Sequence, residues 1–308
     1  MLKKAIALPL LAGLVIPVFA DDAKVLPQGV LRTTLVPSLT TFDETFDADG
    51  ERQDTDAVSV NTLSIALEYG VNDWITAGAQ WAPGYILSGE VDGNDRVELT
   101  GANDLFVGAK LQALGAQGYS RSDTMRFAVT PGIKVPISQY DGEEQLENFL
   151  GGDDFKAART DRGAWGLGAR FSFDYLITPD FYINFYNQSS FFLETEQDYS
   201  VTTSDVTVQY GSEAIFEVEP NYSMSASNGV QLSFGLPVTY TMTGETEVDG
   251  NGQDDESYSL AVEPNMSVFF TQWALPTQFQ LGYSTTLAGE NANAANTISL
   301  QIKNFLRF

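Results

Sequence analysis

The chain ends with the stretch Asn296-Thr-Ile-Ser-Leu-Gln-Ile-Lys-Asn-Phe-Leu-Arg-Phe308. In an extended strand, successive side chains point to opposite faces. One face of this stretch is then apolar, and it carries Ile298, Leu300, Ile302, Leu306 and Phe308. The other face is polar and includes the bases Lys303 and Arg307. The stretch is therefore predicted to be a β-strand that separates an apolar environment from a polar one.

The same alternation recurs along the chain in twelve segments of about 10 to 14 residues, the length of a strand that crosses a bilayer at a tilt. The connections between segments are alternately short, as at Gly70–Asp73, and long and acidic, as at 43–56 and 138–162. A soluble β-sandwich is the alternative, but its strands are shorter and its connections lack this regularity. The pattern predicts a twelve-stranded antiparallel transmembrane β-barrel with short periplasmic turns and long acidic extracellular loops. Closure is expected because an open sheet edge cannot be hydrated within lipid.

The N-terminus indicates an exported protein. Lys3 and Lys4 precede an apolar run that ends near Val18, and Ala20 precedes the acidic pair at 21–22. This is the pattern of a secretory signal peptide over residues 1–20. Residues 21–308 are predicted to form a single outer-membrane β-barrel domain, with membrane lipid as its surroundings. A last strand that ends in Phe308 resembles the closing strands of bacterial outer-membrane barrels, which implies recognition by the barrel assembly machinery.

Three stretches carry a further resemblance. They are Leu67–Gly78, Gly101–Lys110 and Val129–Pro136, which look like successive hairpin signatures. In these stretches the chain resembles the outer-membrane transporters named after the meta-pathway of phenol degradation. The resemblance implies a barrel that passes small, often aromatic or apolar, compounds.

Composition excludes several functions. The formal net charge is −25, so the basic stripes that bind nucleic acid are not expected. The chain has no histidine and no cysteine, which removes the usual general base of enzymatic barrels as well as any disulfide. We expect neither an enzyme nor a bound cofactor, and no metal site is expected.

Charged side chains on the inward faces of the strands are the candidate functional residues. They predict a lumen constriction with a basic wall opposite an acidic wall, formed by Lys110, Lys134, Arg170, Glu217, Glu219 and Glu263. Such a transverse field would orient dipolar solutes and select by charge. The alternative is that paired charges fill a narrow barrel only to stabilise it.

Other inward residues are predicted to contact a solute or to line the mouth. The candidate lumen contacts are Phe106, Tyr182, Tyr186, Asn221 and Asn265, although inward aromatic residues are more often packing. The bases Arg32, Lys303 and Arg307 are expected to cluster at the periplasmic mouth. Interior glycines, such as Gly235 and Gly282, either widen the lumen or let the strands bend.

The acidic connections allow two interpretations. The residues around Asp47–Glu51 and Asp249–Asp254 place oxygen ligands at alternate positions, but neither stretch completes a calcium-binding loop. Solvated, mutually repelling loops are the favoured interpretation. The sequence as a whole predicts an outer-membrane channel or passive transporter for small solutes. The alternative is a non-conducting barrel whose acidic loops bind cations or a partner.

Overall fold

A computed structural model of the chain describes residues 22–91, 95–101, 103–137, 163–197, 206–227 and 229–308. The predicted signal peptide, residues 1–20, and the predicted loop 138–162 lie outside the described residues. The structure is all-β over the described ranges, which include no helix with the length and apolar character that a membrane span requires.

Twelve strands cross the molecule, counted over these ranges. They are β1 (Val30–Phe46), β2 (Arg52–Asn72), β3 (Ile75–Val91), β4 (Asp95–Gly101, continuing as Leu105–Gly115), β5 (Met125–Val135), β6 (Gly166–Leu176), β7 (Phe181–Phe192), β8 (Glu213–Ser227), β9 (Val230–Gly235, continuing as Val238–Thr243), β10 (Ser257–Val262, continuing as Asn265–Phe270), β11 (Thr277–Glu290) and β12 (Asn296–Arg307). Four short strands form a separate sheet beside the long connections, at Thr195–Gln197, Val206–Gln209, Glu247–Val248 and Asn251–Gly252.

The terminal strand closes the barrel. β12 pairs antiparallel with β11 on one side and with β1 on the other, in a register that sets Leu35 opposite Ile302 and Ser38 opposite Ser299. The intervening strands pair antiparallel with their neighbours in chain order. The predicted twelve-stranded antiparallel barrel is therefore confirmed.

The two faces of the wall differ as the alternation predicts. On β1 the outward Leu35 is 38% exposed, whereas the neighbouring inward Thr34 is 3% exposed. Large apolar side chains stay exposed around the outside, among them Leu67, Leu167, Phe216, Leu281 and Ile298. An apolar exterior of this extent is stable only against lipid, because water would disfavour it.

The start of β1, the end of β12 and the short β2–β3 turn share one rim. The backbone amide of Phe308 donates to the carbonyl of Gly29 at 3.0 Å, and the amide of Gly29 donates to the carbonyl of Gly70 at 2.9 Å. These bonds tie the end of β12 and the residues before β1 to the turn between β2 and β3. By the usual orientation of such barrels this is the periplasmic rim.

The acidic stretch between the first two segments is mostly strand. β1 reaches Phe46 and β2 begins at Arg52, so only a tight turn connects them. Arg52 bonds the carboxylate of Glu44 across the two strands at 2.9 Å, and its guanidinium lies 5.1 Å from the ring centroid of Phe46. The strands continue above the apolar band because cross-strand pairs and backbone hydrogen bonds stabilise them there.

The alternation is weak near the end of β7, but the strand itself is regular. β7 pairs with β6 and β8 without a register shift. Two polar residues, Asn187 and Ser189, take the outward positions between Phe185 and Phe191. The side-chain Nδ2 of Asn187 donates to the carbonyl of Ile215 at 3.0 Å, which satisfies this polar group at the outer face.

Candidate functional site

Residues 22–29, here called the N-terminal segment, lie inside the periplasmic half of the barrel. Ala23 is fully buried, and Val25 and Leu26 are nearly so. The backbone amide of Leu26 donates to Thr76 Oγ1 at 2.8 Å. Since Thr76 faces inward from β3, the segment packs directly against the inner wall.

Two inward side chains of β4 hold the segment by its carbonyl groups. Lys110 Nζ donates to the carbonyls of Asp22 at 2.9 Å and of Lys24 at 3.3 Å, and Gln112 Nε2 donates to the carbonyl of Ala23 at 2.6 Å. Lys110 therefore anchors the segment instead of facing open water.

A carboxylate on β6 holds the same segment by its backbone amide. Asp174 is fully buried and accepts from the amide of Ala23 at 3.2 and 3.3 Å. It also accepts from Asn184 Nδ2 at 2.8 Å and forms an ion pair with Arg126 at 3.3 Å. These partners satisfy a charge that would be costly to bury alone.

The acidic residues share one cavity on the far side of the segment. This acidic chamber has a volume of about 420 Å³ and lies between the N-terminal segment and strands β8 to β12. Glu217, Glu219 and Glu263 all line it, as do Asn221 and Asn265. Asn265 Nδ2 donates to Glu219 Oε1 at 3.2 Å, and Thr239 Oγ1 donates to Glu217 Oε2 at 3.0 Å. The predicted acidic wall is brought together here.

Interior glycines leave room for these carboxylates. A Cβ atom at Gly235 would overlap the carboxylate of Glu219, and a Cβ at Gly282 would overlap that of Glu263. Gly132 plays the same part for Phe106, whose ring lies where a Cβ would be. At these positions the glycines let a neighbouring side chain lie flat on the wall, a use that neither sequence interpretation included.

The predicted basic wall, on strands β4 to β6, encloses a much smaller cavity than the acidic wall does. Arg170 stacks its guanidinium on the ring of Phe106, 3.9 Å from the ring centroid, and donates to Gln80 Oε1 at 2.9 Å. Together with Lys110 these residues line a cavity of about 60 Å³, which has room for only a few water molecules. Phe106 is buried by this packing.

The remaining candidates are more dispersed. Lys134 pairs with Glu213 at 2.5 Å and so belongs to a separate ion pair. Tyr186 lines the small cavity and donates to Gln188 Oε1 at 2.9 Å, and Tyr182 lines the acidic chamber.

Of the three predicted mouth residues, two line the same cavities and the third lies apart. Arg32 and Lys303 line both cavities, and Arg32 forms an ion pair of 2.6 Å with Glu68. Arg307 is exposed at the end of β12.

Carboxylates in the acidic turns bond the backbone. Asp47 accepts from the amides of Asp49 at 3.0 Å and Glu51 at 2.9 Å, and from Gln53 Nε2 at 3.0 Å. The amide of Glu51 and the side chain of Gln53 lower the pKa of Asp47. Asp249 likewise accepts from the amide of Thr207 at 3.0 Å. Among the described residues no group of three acidic side chains is placed to hold a metal ion.

Sequence reasoning did not find the N-terminal segment or Asp174 and Gln112, which hold it. Residues 22–29 are too short to alternate visibly, and a bond to a backbone carbonyl leaves no residue-type signal. One feature of the sequence could have indicated Asp174: it is a carboxylate on the inward face of β6, opposite Arg126 on the neighbouring strand β5.

Comparison with known proteins is informative at the level of fold. No protein-family model matches the chain, and no curated protein matches it. A solved outer membrane channel from Pseudomonas putida F1 superposes with a TM-score of 0.72 at 18% identity, covering 94% of this chain and 100% of that one. That likeness shows the fold. The chain has the fold of an outer-membrane β-barrel.

Two further structures superpose less well. The transport unit of the autotransporter AIDA-I from Escherichia coli gives a TM-score of 0.49 at 9% identity, covering 98% of this chain and 97% of that one. A Pseudomonas aeruginosa FadL homologue gives 0.37 at 10% identity, covering 91% and 90%. Both likenesses are weaker than that to the Pseudomonas putida channel.

Proposed function

We propose that the chain is an outer-membrane channel through which small solutes pass passively. The observation that carries the proposal is the acidic chamber, a polar cavity of about 420 Å³ inside a closed barrel with an apolar exterior. A barrel that served only as a scaffold would gain nothing from this space, since packed side chains stabilise a small barrel better than a polar cavity does.

The mid-lumen charges set the selectivity of this channel. Glu217, Glu219 and Glu263 lie on the wider side, whereas Lys110 and Arg170 are engaged on the narrow side. Solutes therefore pass along the acidic wall, and cations are favoured over anions. The polar lining of amides and hydroxyls favours polar solutes over the aromatic or apolar compounds that the family resemblance implies.

Purified protein in a planar bilayer tests this proposal. We expect unitary currents with a preference for cations, measured as the reversal potential in a salt gradient. The double variant E219Q/E263Q should lower that preference. The matched control is D54N, which removes a carboxylate from the exposed β1–β2 hairpin. Folded protein that never conducts would refute the channel, and an unchanged reversal potential in the double variant would refute the role of the acidic wall.

The N-terminal segment also favours a second candidate. Because it fills part of the lumen, the barrel could be a non-conducting surface protein whose acidic hairpins bind cations or a partner. Absence of current, combined with cation binding that D49N in the same hairpin weakens, would support this candidate over the channel.

A further inference from the structure

The acidic chamber has more carboxylates than its bases neutralise. Among the described residues that line it, Lys24 pairs with Asp22 at 3.3 Å and Arg32 pairs with Glu68 at 2.6 Å. With these two ion pairs set aside, three carboxylates share the chamber with the ammonium group of Lys303. The wall of the chamber therefore has more acidic side chains than basic ones left to pair with them.

One of these carboxylates has an oxygen without a partner. Glu217 is 6% exposed, and its Oε2 accepts from Thr239, whereas its Oε1 has no hydrogen-bond donor among the described residues. A buried carboxylate oxygen that lacks a donor is destabilising. Glu217 lines the chamber, and a solute bound there would supply this donor once the carboxylate turns its buried oxygen toward the cavity.

The other two carboxylates lie against glycines of the wall, and Asn265 holds one of them, Glu219, before any solute enters. A Cβ at Gly235 would come within 2.8 Å of Asn265 Nδ2 as well as overlap Glu219, and a Cβ at Gly282 would come within 2.9 Å of Ser299 Oγ as well as overlap Glu263. The backbone thus leaves space for both carboxylates against the wall. Groups fixed in advance bind a ligand with less loss of conformational entropy.

We propose that the acidic chamber binds the ammonium or guanidinium group of a small organic cation. A metal ion is a poorer fit, because the acidic residues do not converge on one point among the described positions. The volume of about 420 Å³ lies in the range of sites for small molecules, about 300 to 1,000 Å³. Neutral amides such as Gln280 and Gln301 complete the lining and suit the polar body of such a solute.

This inference rests on the proposed function only in taking the bound cation to be a permeating solute, so binding is measured separately from conduction. Isothermal titration calorimetry on the full chain in detergent micelles uses putrescine as the probe and uncharged 1,4-butanediol as its control. We expect saturable binding of putrescine, no binding of butanediol, and affinity that falls as salt rises. The single variant E217Q and the triple variant E217Q/E219Q/E263Q should weaken binding, the triple variant by tenfold or more.

The variant D54N is the matched control and should bind putrescine as the wild type does. Barrel folding of each variant is checked by circular dichroism. The inference is overturned if the folded wild type does not bind putrescine, if butanediol binds equally, or if the triple variant binds undiminished. Binding without current would leave this site intact and refute the channel. Current without binding would refute this site and leave the channel intact.

Discussion

Lys110 is predicted to keep the N-terminal segment seated in the lumen. Its ammonium donates to two carbonyls of the segment, at 2.9 Å to Asp22 and at 3.3 Å to Lys24. A hydrogen bond to a charged group contributes about 1.5–3 kcal/mol. Counting only the shorter bond, the substitution K110M should favour the unseated segment by about 10- to 150-fold.

A cysteine placed at Ala23 reports this change directly. The chain has no cysteine of its own, and Ala23 is fully buried when the segment is seated. The labelling rate of A23C by a maleimide should therefore rise with the fraction of unseated segment. We expect K110M to raise that rate by tenfold or more, and to raise unitary conductance if the barrel conducts.

Lys134 provides the matched control. It is also an inward lysine, but it pairs with Glu213 and makes no described bond to the segment. The variant K134M should leave the labelling of A23C unchanged. Equal labelling in K110M and the parent, or an equal rise in K134M, would refute the anchoring role of Lys110.

Two further predictions concern stability. The substitution G235A should lower the free energy of unfolding by about 1–3 kcal/mol, because its Cβ would overlap Glu219; G84A, at a site with no atom within 4 Å of the added Cβ, should change it little. Denaturant unfolding in micelles measures both, and equal losses would contradict this account. The pKa of Asp47 is lowered by the amide of Glu51, so this carboxylate supports its turn above its unfolded pKa and loses that effect as pH falls through the folded value. Carboxyl-carbon NMR should show Asp47 titrating below 3.8, with protection of the Glu51 amide from exchange falling over the same range, and titration at or above 3.8 would argue against the turn bonds.

The barrel itself could be read from the sequence because its two solvents impose a period of two on each strand. Leu35 and Thr34 illustrate this: lipid outside and a polar lumen inside select opposite residue types at adjacent positions. The even number of segments and the alternation of connections then predicted closure between β12 and β1. The stretch 43–56 shows the limit of this reasoning, since charge density suggested a connection where pairing forms a hairpin.

The site could be predicted only in part. The alternation along one strand shows which side chains point inward, but it does not show which of them lie near each other. Alternation placed Lys110, Lys134 and Glu219 on the inner face, but strand tilt and register decide which of them meet. Lys134 lies by Glu213, and Lys110 lies by a segment that contains no strand.

The sequence alone determined the fold class, the inward and outward faces and the acidic character of the lumen, because each depends on residue type and spacing along a strand. Only the tertiary structure decided that residues 22–29 enter the lumen, that Asp174, Lys110 and Gln112 hold them, and that three glutamates share one chamber. Those contacts join residues far apart in the chain. They follow from the closure of the barrel, which brings its two halves to face each other.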